Sequence, residues 1–238
     1  MFFALYGHLL FDVTAICLAV LSGYLTYKWR FQDALPKTAA SIDAGYFLFL
    51  SAGSITGAYL FGTLNLYFSG IDEIGRSILG ALFGAICMVE LYKFKKGTSG
   101  STGYIYVIPL TVSIIVGRIG CFLSGVHDHT HGLPTDLPWG RDFGDQIARH
   151  PVQIYESFSM LVFLFLILII LKYRSGIVIQ YGFYICVGFY AAQRFMWEFL
   201  KPYGDVFGPL NIFQVLCLII LVYSVFMIKR AKDDSNTA

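Results

Sequence analysis

The sequence predicts an all-α fold, a polytopic membrane bundle of seven transmembrane helices with the N-terminus outside and the C-terminus cytoplasmic. Three observations lead there. Of 238 residues, 57% are hydrophobic and 13% charged, with a mean hydropathy of +0.67. A soluble domain of this length cannot hide so much apolar surface from water. The apolar residues also fall in runs of roughly 20, the number that crosses about 30 Å of hydrocarbon. Finally, eleven of the 17 Lys and Arg residues lie in connections on one side of the chain. That bias places the richer side in the cytoplasm. The net charge of +2 points to no nucleic-acid partner.

The spans are expected near 3–27, 45–68, 74–93, 103–124, 152–171, 177–199 and 209–228. The first lacks a basic n-region and a small-residue cleavage site, so it reads as a retained span. Basic residues follow the first, third, fifth and seventh runs: Lys28, Arg30 and Lys37, then Lys93, Lys95 and Lys96, then Lys172 and Arg174, then Lys229, Arg230 and Lys232. These read as bare, solvated anchors on the cytoplasmic side. Residues 229–238 read as a loose polar cytoplasmic tail. No internal repeat, low-complexity tract or long linker divides the chain, so residues 1–228 read as a single membrane-embedded domain. Cys17, Cys87, Cys121, Cys186 and Cys217 are widely separated and sit in or beside apolar runs, as small core residues do.

The remaining cations, Arg76, Arg118, Arg141, Arg149, Arg194 and Lys201, lie toward the outer side among Asp, Glu, His, Gly and Pro. An ionisable residue in hydrocarbon is costly unless something pairs or uses it. At about 1.5 Å rise per residue, Arg118 lies roughly 20 Å from the cytoplasmic end of its span and Arg194 roughly 25 Å. Tyr6, His8, Arg76, His150, Tyr155 and Glu156 also belong to outer ends of spans. Polar groups from five helices thus converge at the depth of a phospholipid headgroup. The segment 117–156, with its outer loop at 125–150, carries the densest share.

Two arginines at that depth suit a phosphate, because a planar guanidinium meets phosphate through two parallel hydrogen bonds. The competing reading pairs each with a carboxylate. Arg194 and Glu198 are four apart on one helix face, and Arg149 lies within reach of Glu156. Arg118 has no acid within a helical turn. His127, His129 and His131, with Asp128 among them, have spacing that a metal could use. Yet residues 130–134 read as a turn-rich surface loop, and no metal or other cofactor is expected. His8 and Asp12 are spaced to satisfy each other. Cys121 and Ser124 show no motif that would make either a nucleophile.

Taken together, the motifs resemble the prolipoprotein diacylglyceryl transferase family along nearly the whole chain. The resemblance is carried by Gly117-Arg118-Ile119-Gly120-x-Phe122, Pro138-Trp139-x-x-x-Phe143 and Arg149-His150-Pro151-x-Gln153-x-Tyr155-Glu156. Arg194-x-x-x-Glu198-Phe199, Gln214-x-Leu216 and an early Tyr6-Gly7 continue it. It implies a seven-span enzyme of the bacterial inner membrane, active toward the outer leaflet. Such an enzyme moves the diacylglyceryl group of phosphatidylglycerol onto the lipobox cysteine of a prolipoprotein and releases glycerol phosphate. By motif, Arg118 and Arg194 would hold the lipid phosphate and stabilise charge on the leaving group. Tyr6, Tyr155, Glu156, Glu198 and Arg149 would line the substrate site. The thiol would come from the acceptor.

The chain departs from the family pattern in the region that would serve that thiol. The family's His-Gly-Gly element falls on Gly75-Arg76-Ser77-Ile78-Leu79-Gly80, which has no histidine. Cys121 stands where the pattern has Asn, Ser124-Gly125-Val126 where it has Asn-Gly-Glu, and no arginine lies near Thr56. The chain is also short, leaving less room for an outer head domain. Arg76 or His150 would then assist the thiol, with Arg76 preferred because it occupies the equivalent stretch. The alternatives are a related phospholipid-dependent transferase with another acceptor, and a non-catalytic lipid-binding membrane protein.

Overall fold

Backbone hydrogen bonding is satisfied inside each apolar run by coiling it into a helix, since hydrocarbon offers no partner for peptide groups. The computed structural model describes residues 2–35, 42–98 and 100–237, with side chains described between residues 9 and 233. Seven long helices result: α1 (Phe2–Thr26), α2 (Ala44–Phe68), α3 (Ile78–Lys96), α4 (Val107–Ser124), α5 (Val152–Tyr173), α6 (Ser175–Glu198) and α7 (Ile212–Thr237). A π-helical turn at Tyr27–Phe31 extends α1, and a 3₁₀ turn at Gly103–Tyr106 leads into α4. Among the described residues six helices are long and apolar enough to cross a membrane. The other is α3, whose last two turns carry Glu90, Lys93, Lys95 and Lys96.

The chain forms two compact units. One holds residues 1–31 and 103–202, and the other residues 32–102 and 203–238.

In the second unit α2 and α3 pack through glycine against glycine. A Cβ on Gly53 would lie 2.3 Å from the Gly84 carbonyl oxygen, and one on Gly57 would lie 2.2 Å from that of Gly80. Lipid supplies no hydrophobic drive between helices, so close backbone approach through small residues is what holds such a pair. The same contact explains why α3 starts at Ile78, four residues after the expected boundary. Gly75 N–H donates to Thr63 Oγ1 at 3.2 Å, and Ser77 N–H donates to the Ala58 carbonyl at 3.1 Å. These bonds hold the 75–77 backbone extended along α2, and Ser77 Oγ then caps α3 by accepting from Gly80 N–H.

The start of α7 is delayed for a similar reason. Asn211 and Gln214 side chains each accept the other's backbone N–H at 2.9 Å, a reciprocal cap that sets the first turn at Ile212. At its far end the helix continues through Thr237, so residues 229–237 are helical where a loose tail was expected. The basic run closing α3 is also not wholly solvated. Lys93 is buried and paired with Glu90 at 3.1 Å, while Lys96 lies 3.5 Å from Asp43. Asp43 caps α2 through Tyr46 N–H. The Tyr92 hydroxyl, which donates to it, is the chief reason its carboxyl is lowered to about 2.

In the first unit α1 packs on α4, α4 on α5, and α5 on α6. Here α5 and α6 are separated by Arg174 alone. At the opposite end of these helices residues 125–151 form the loop region. It contains a two-stranded antiparallel ladder, β1 (Arg141–Asp142) with β2 (Ala148–Arg149). Asp142 Oδ1 organises its turn by accepting from the N–H groups of Gly144, Asp145 and Gln146.

Candidate active site

Three helix ends meet at one level in the first unit. Arg118 lies in the last two turns of α4, Glu156 in the second turn of α5, and Arg194 and Glu198 in the last turn of α6. Lys201 follows in the turn beyond α6. The spacing Arg194, Glu198, Lys201 puts all three on one side of the helix end, facing Glu156.

Glu156, fully buried, is the hub. Its Oε2 lies 2.8 Å from Arg118 Nε and 2.6 Å from Arg194 Nη1, and its Oε1 lies 2.6 Å from Lys201 Nζ. Glu198 Oε1 lies 2.6 Å from Arg194 Nε and 3.2 Å from Lys201 Nζ. Both carboxylates and Lys201 have no exposed side-chain surface, and Arg194 and Arg118 retain only 2% and 7%. Burial pushes the Lys201 ammonium below its ordinary value, Arg194 adds to that push, and the two glutamates oppose it.

Chemically, the cluster sets three cations against two carboxylates among the described residues. Both guanidiniums are drawn to a single oxygen, so they stand side by side. Desolvated charge is tolerated only when it is paired or coordinated. An anion brought beside the arginines would meet a surplus positive charge, and a tetrahedral phosphate suits two converging guanidiniums.

The expected site residues divide accordingly. Arg118, Arg194, Glu156 and Glu198 come together. The pairing of Arg194 with Glu198 holds, and Arg118 finds its acid across the bundle rather than along its own helix. Arg149 does not reach Glu156. It makes a two-pronged pair with Asp145, with Nη1 and Nη2 each 2.7 Å from a carboxylate oxygen, because β2 points it along the ladder. This guanidinium is the main reason the Asp145 carboxyl is lowered.

Tyr155 and His150 border the cluster through an aromatic group. The Tyr155 hydroxyl accepts from Trp139 Nε1 at 2.8 Å, and its ring stands 5.2 Å from that of Trp197. The His150 ring meets Tyr155 edge-on at 6.3 Å. Its Nδ1 is buried without a partner among the described residues. Arg76 is exposed and belongs to the second unit. Tyr6 and His8, including the pairing of His8 with Asp12, lie outside the described side chains.

Lys201 is the residue that sequence reasoning missed. It counted only as an outer-side cation, although its place three residues after Glu198 was a readable signal. The loop reading of residues 130–134 also needs correction. Gly132 is buried, and a Cβ there would lie 2.4 Å from the His150 carbonyl oxygen. Leu133 N–H donates to the Leu200 carbonyl at 2.7 Å, and Thr135 N–H donates to that of Ala148 at 2.9 Å. The segment is extended and clamped between its neighbours. His131 sits half-buried there, and burial, with Arg149 adding to it, lowers its pKa.

Among the described residues no three His, Cys, Asp or Glu side chains converge as a metal site. Elemental analysis is expected to find no stoichiometric zinc, and a variant with alanine at His127, His129 and His131 is expected to stay active. Zinc that vanishes together with activity in that variant would reverse this assignment.

A family model for prolipoprotein diacylglyceryl transferase matches residues 9–230. A curated relative from Polynucleobacter asymbioticus is 29% identical over 226 residues, covering 89% of this chain and 83% of its own. One from Campylobacter lari is 28% identical over 241 residues, covering 88% and 84%. Another from Bordetella avium is 33% identical over 196 residues, covering 79% and 70%. All three are named phosphatidylglycerol–prolipoprotein diacylglyceryl transferase. No solved structure gives a significant match. With the family model spanning nearly the whole length and the Arg118, Glu156 and Arg194 motifs meeting in space, the chain belongs to the prolipoprotein diacylglyceryl transferase family.

Proposed function

We propose that this protein transfers the diacylglyceryl group of phosphatidylglycerol to the lipobox cysteine thiol of prolipoproteins in the bacterial inner membrane. The observation that carries the reading is the buried pair Arg118 and Arg194 drawn onto one oxygen of Glu156. Its family membership points the same way. In this reading all seven long helices cross the membrane, with α3 the least apolar, the N-terminus outside and the C-terminus cytoplasmic. Residues 1–228 act as one transferase domain whose 125–150 loop and active site face the outer leaflet. Residues 229–238 lie on the cytoplasmic side.

The acceptor's thiolate attacks the diacylglyceryl carbon that bears the phosphate. A C–S bond forms as the C–O bond breaks, and glycerol phosphate leaves with the bonding electrons. Negative charge therefore grows on the leaving phosphate, where Arg118 and Arg194 stabilise it. Glu156 and Glu198 hold those guanidiniums in place, while Tyr6, Tyr155 and Arg149 border the substrate. Incubating the purified protein with labelled phosphatidylglycerol and a lipobox peptide should yield lipidated peptide and free glycerol phosphate. A folded protein that leaves the peptide unmodified overturns the proposal.

The acceptor thiol, with a pKa near 8.5, is only a few per cent ionised at neutral pH. We assign its activation to Arg76, whose charge favours the thiolate without taking the proton. The Arg76→Gln variant is expected to move the alkaline-rising limb of the pH–rate profile upward by about a unit and keep its shape. An unchanged profile in Arg76→Gln, with a limb lost in His150→Gln, would transfer the task to His150 as a base.

A further inference from the structure

Gln153 lies one turn before Glu156 on α5, fully buried, and the chemistry above gives it no task. Side chains three apart share a helix face, so Gln153 borders the charged cluster. A short hydrogen-bond chain sets the orientation of its amide. The Asp128 carboxylate only accepts, and its Oδ1 takes the Thr130 hydroxyl proton at 2.9 Å and the Thr130 N–H at 3.1 Å. A hydroxyl has one proton, so Thr130 Oγ1 presents only lone pairs to Gln153. The amide must turn its NH₂ that way, and Nε2 donates to Thr130 Oγ1 at 3.3 Å.

The carbonyl end is then the unmet one. Gln153 Oε1 is a buried acceptor with no donor among the described residues. Flipping the amide would not help, because Oε1 would then face the lone pairs of Thr130. An acceptor buried without a donor is costly, so its place beside a substrate site calls for a donor from the ligand. On the phosphatidylglycerol reading that donor is a headgroup hydroxyl, since the phosphate oxygens only accept.

We propose that Gln153 is a specificity-determining residue whose Oε1 accepts a hydrogen bond from a headgroup hydroxyl of the donor phospholipid. The inference rests on the phosphatidylglycerol reading and names the residue that recognises the headgroup. A site built to bond a hydroxyl discriminates against the analogue that lacks it.

The test compares kcat/KM for phosphatidylglycerol and for phosphatidylpropanol, which keeps the phosphate and loses both headgroup hydroxyls. A lipobox peptide serves as acceptor for wild type and for Gln153→Leu. Wild type is expected to prefer phosphatidylglycerol by roughly 10- to 100-fold. Gln153→Leu should bring the ratio close to one by losing phosphatidylglycerol turnover, while phosphatidylpropanol turnover persists and reports an intact fold. An unchanged ratio overturns the proposal.

If Gln153→Leu loses both activities, Asp128→Ala provides the second arm. It removes the acceptor of the Thr130 proton, lets the amide flip onto that proton, and should lower the ratio part of the way. An unchanged ratio there overturns the proposal equally. A wild-type protein that transfers nothing from either lipid would instead overturn the underlying functional reading.

Discussion

Arg118→Lys and Arg194→Lys are each expected to lower turnover about 10²- to 10³-fold while leaving a folded protein. Charge alone does not meet the geometry of the site. Arg194 spans two carboxylates at once, with Nη1 on Glu156 and Nε on Glu198, each at 2.6 Å. A lysine has one nitrogen and cannot occupy both positions. Arg118 commits Nε to Glu156 at 2.8 Å, so a phosphate would be met through its terminal amino groups. Lysine has no second edge with which to do this. The check is kcat/KM on phosphatidylglycerol in vesicles with each variant purified as a monodisperse species. Wild-type turnover in Arg118→Lys would remove the phosphate clamp from the mechanism.

Removing Glu156 is expected to act on stability rather than on chemistry alone. Its two oxygens touch Arg118, Arg194 and Lys201, and its side chain is fully buried. Glu156→Ala leaves three buried cations with Glu198, which pairs with Arg194 and Lys201, as the cluster's remaining carboxylate among the described residues. Breaking a buried pair by deleting one partner costs about 3–5 kcal/mol, because the orphaned charge stays desolvated. Thermal unfolding in detergent should show a large drop in midpoint and a fall in folded yield. Combining Glu156→Gln with Lys201→Met restores the wild-type charge balance and should recover part of that loss. A Glu156→Ala protein as stable as wild type would show that the cluster does not hold the helix ends together.

Much of the helical frame was legible in the chain because lipid imposes one rule on the backbone. The apolar runs at 3–27, 45–68, 103–124, 152–171 and 177–199 became helices within a few residues of those limits. Boundaries moved where side chains or neighbouring backbone competed for the same N–H groups. Gly75 and Ser77 are held by α2, which delays α3, and Asn211 with Gln214 sets the start of α7. The basic run after α3 looked solvated because its partners, Glu90 aside, are distant in sequence.

Within the site, residue identities were readable and their partners were not. Arg118, Arg194, Glu156 and Glu198 stood out because charge in an apolar run demands an explanation, and the Arg194–Glu198 pair follows from helical spacing alone. Tertiary structure decided the rest. It brought Glu156 of α5 to both arginines, added Lys201 from the turn beyond α6, and gave Arg149 to Asp145 instead. It also set the amide of Gln153 through Thr130 and Asp128. The physical reason is that spacing along a chain determines which residues share a helix face. Which faces meet, and so which charges neutralise one another, depends on how separate helices pack.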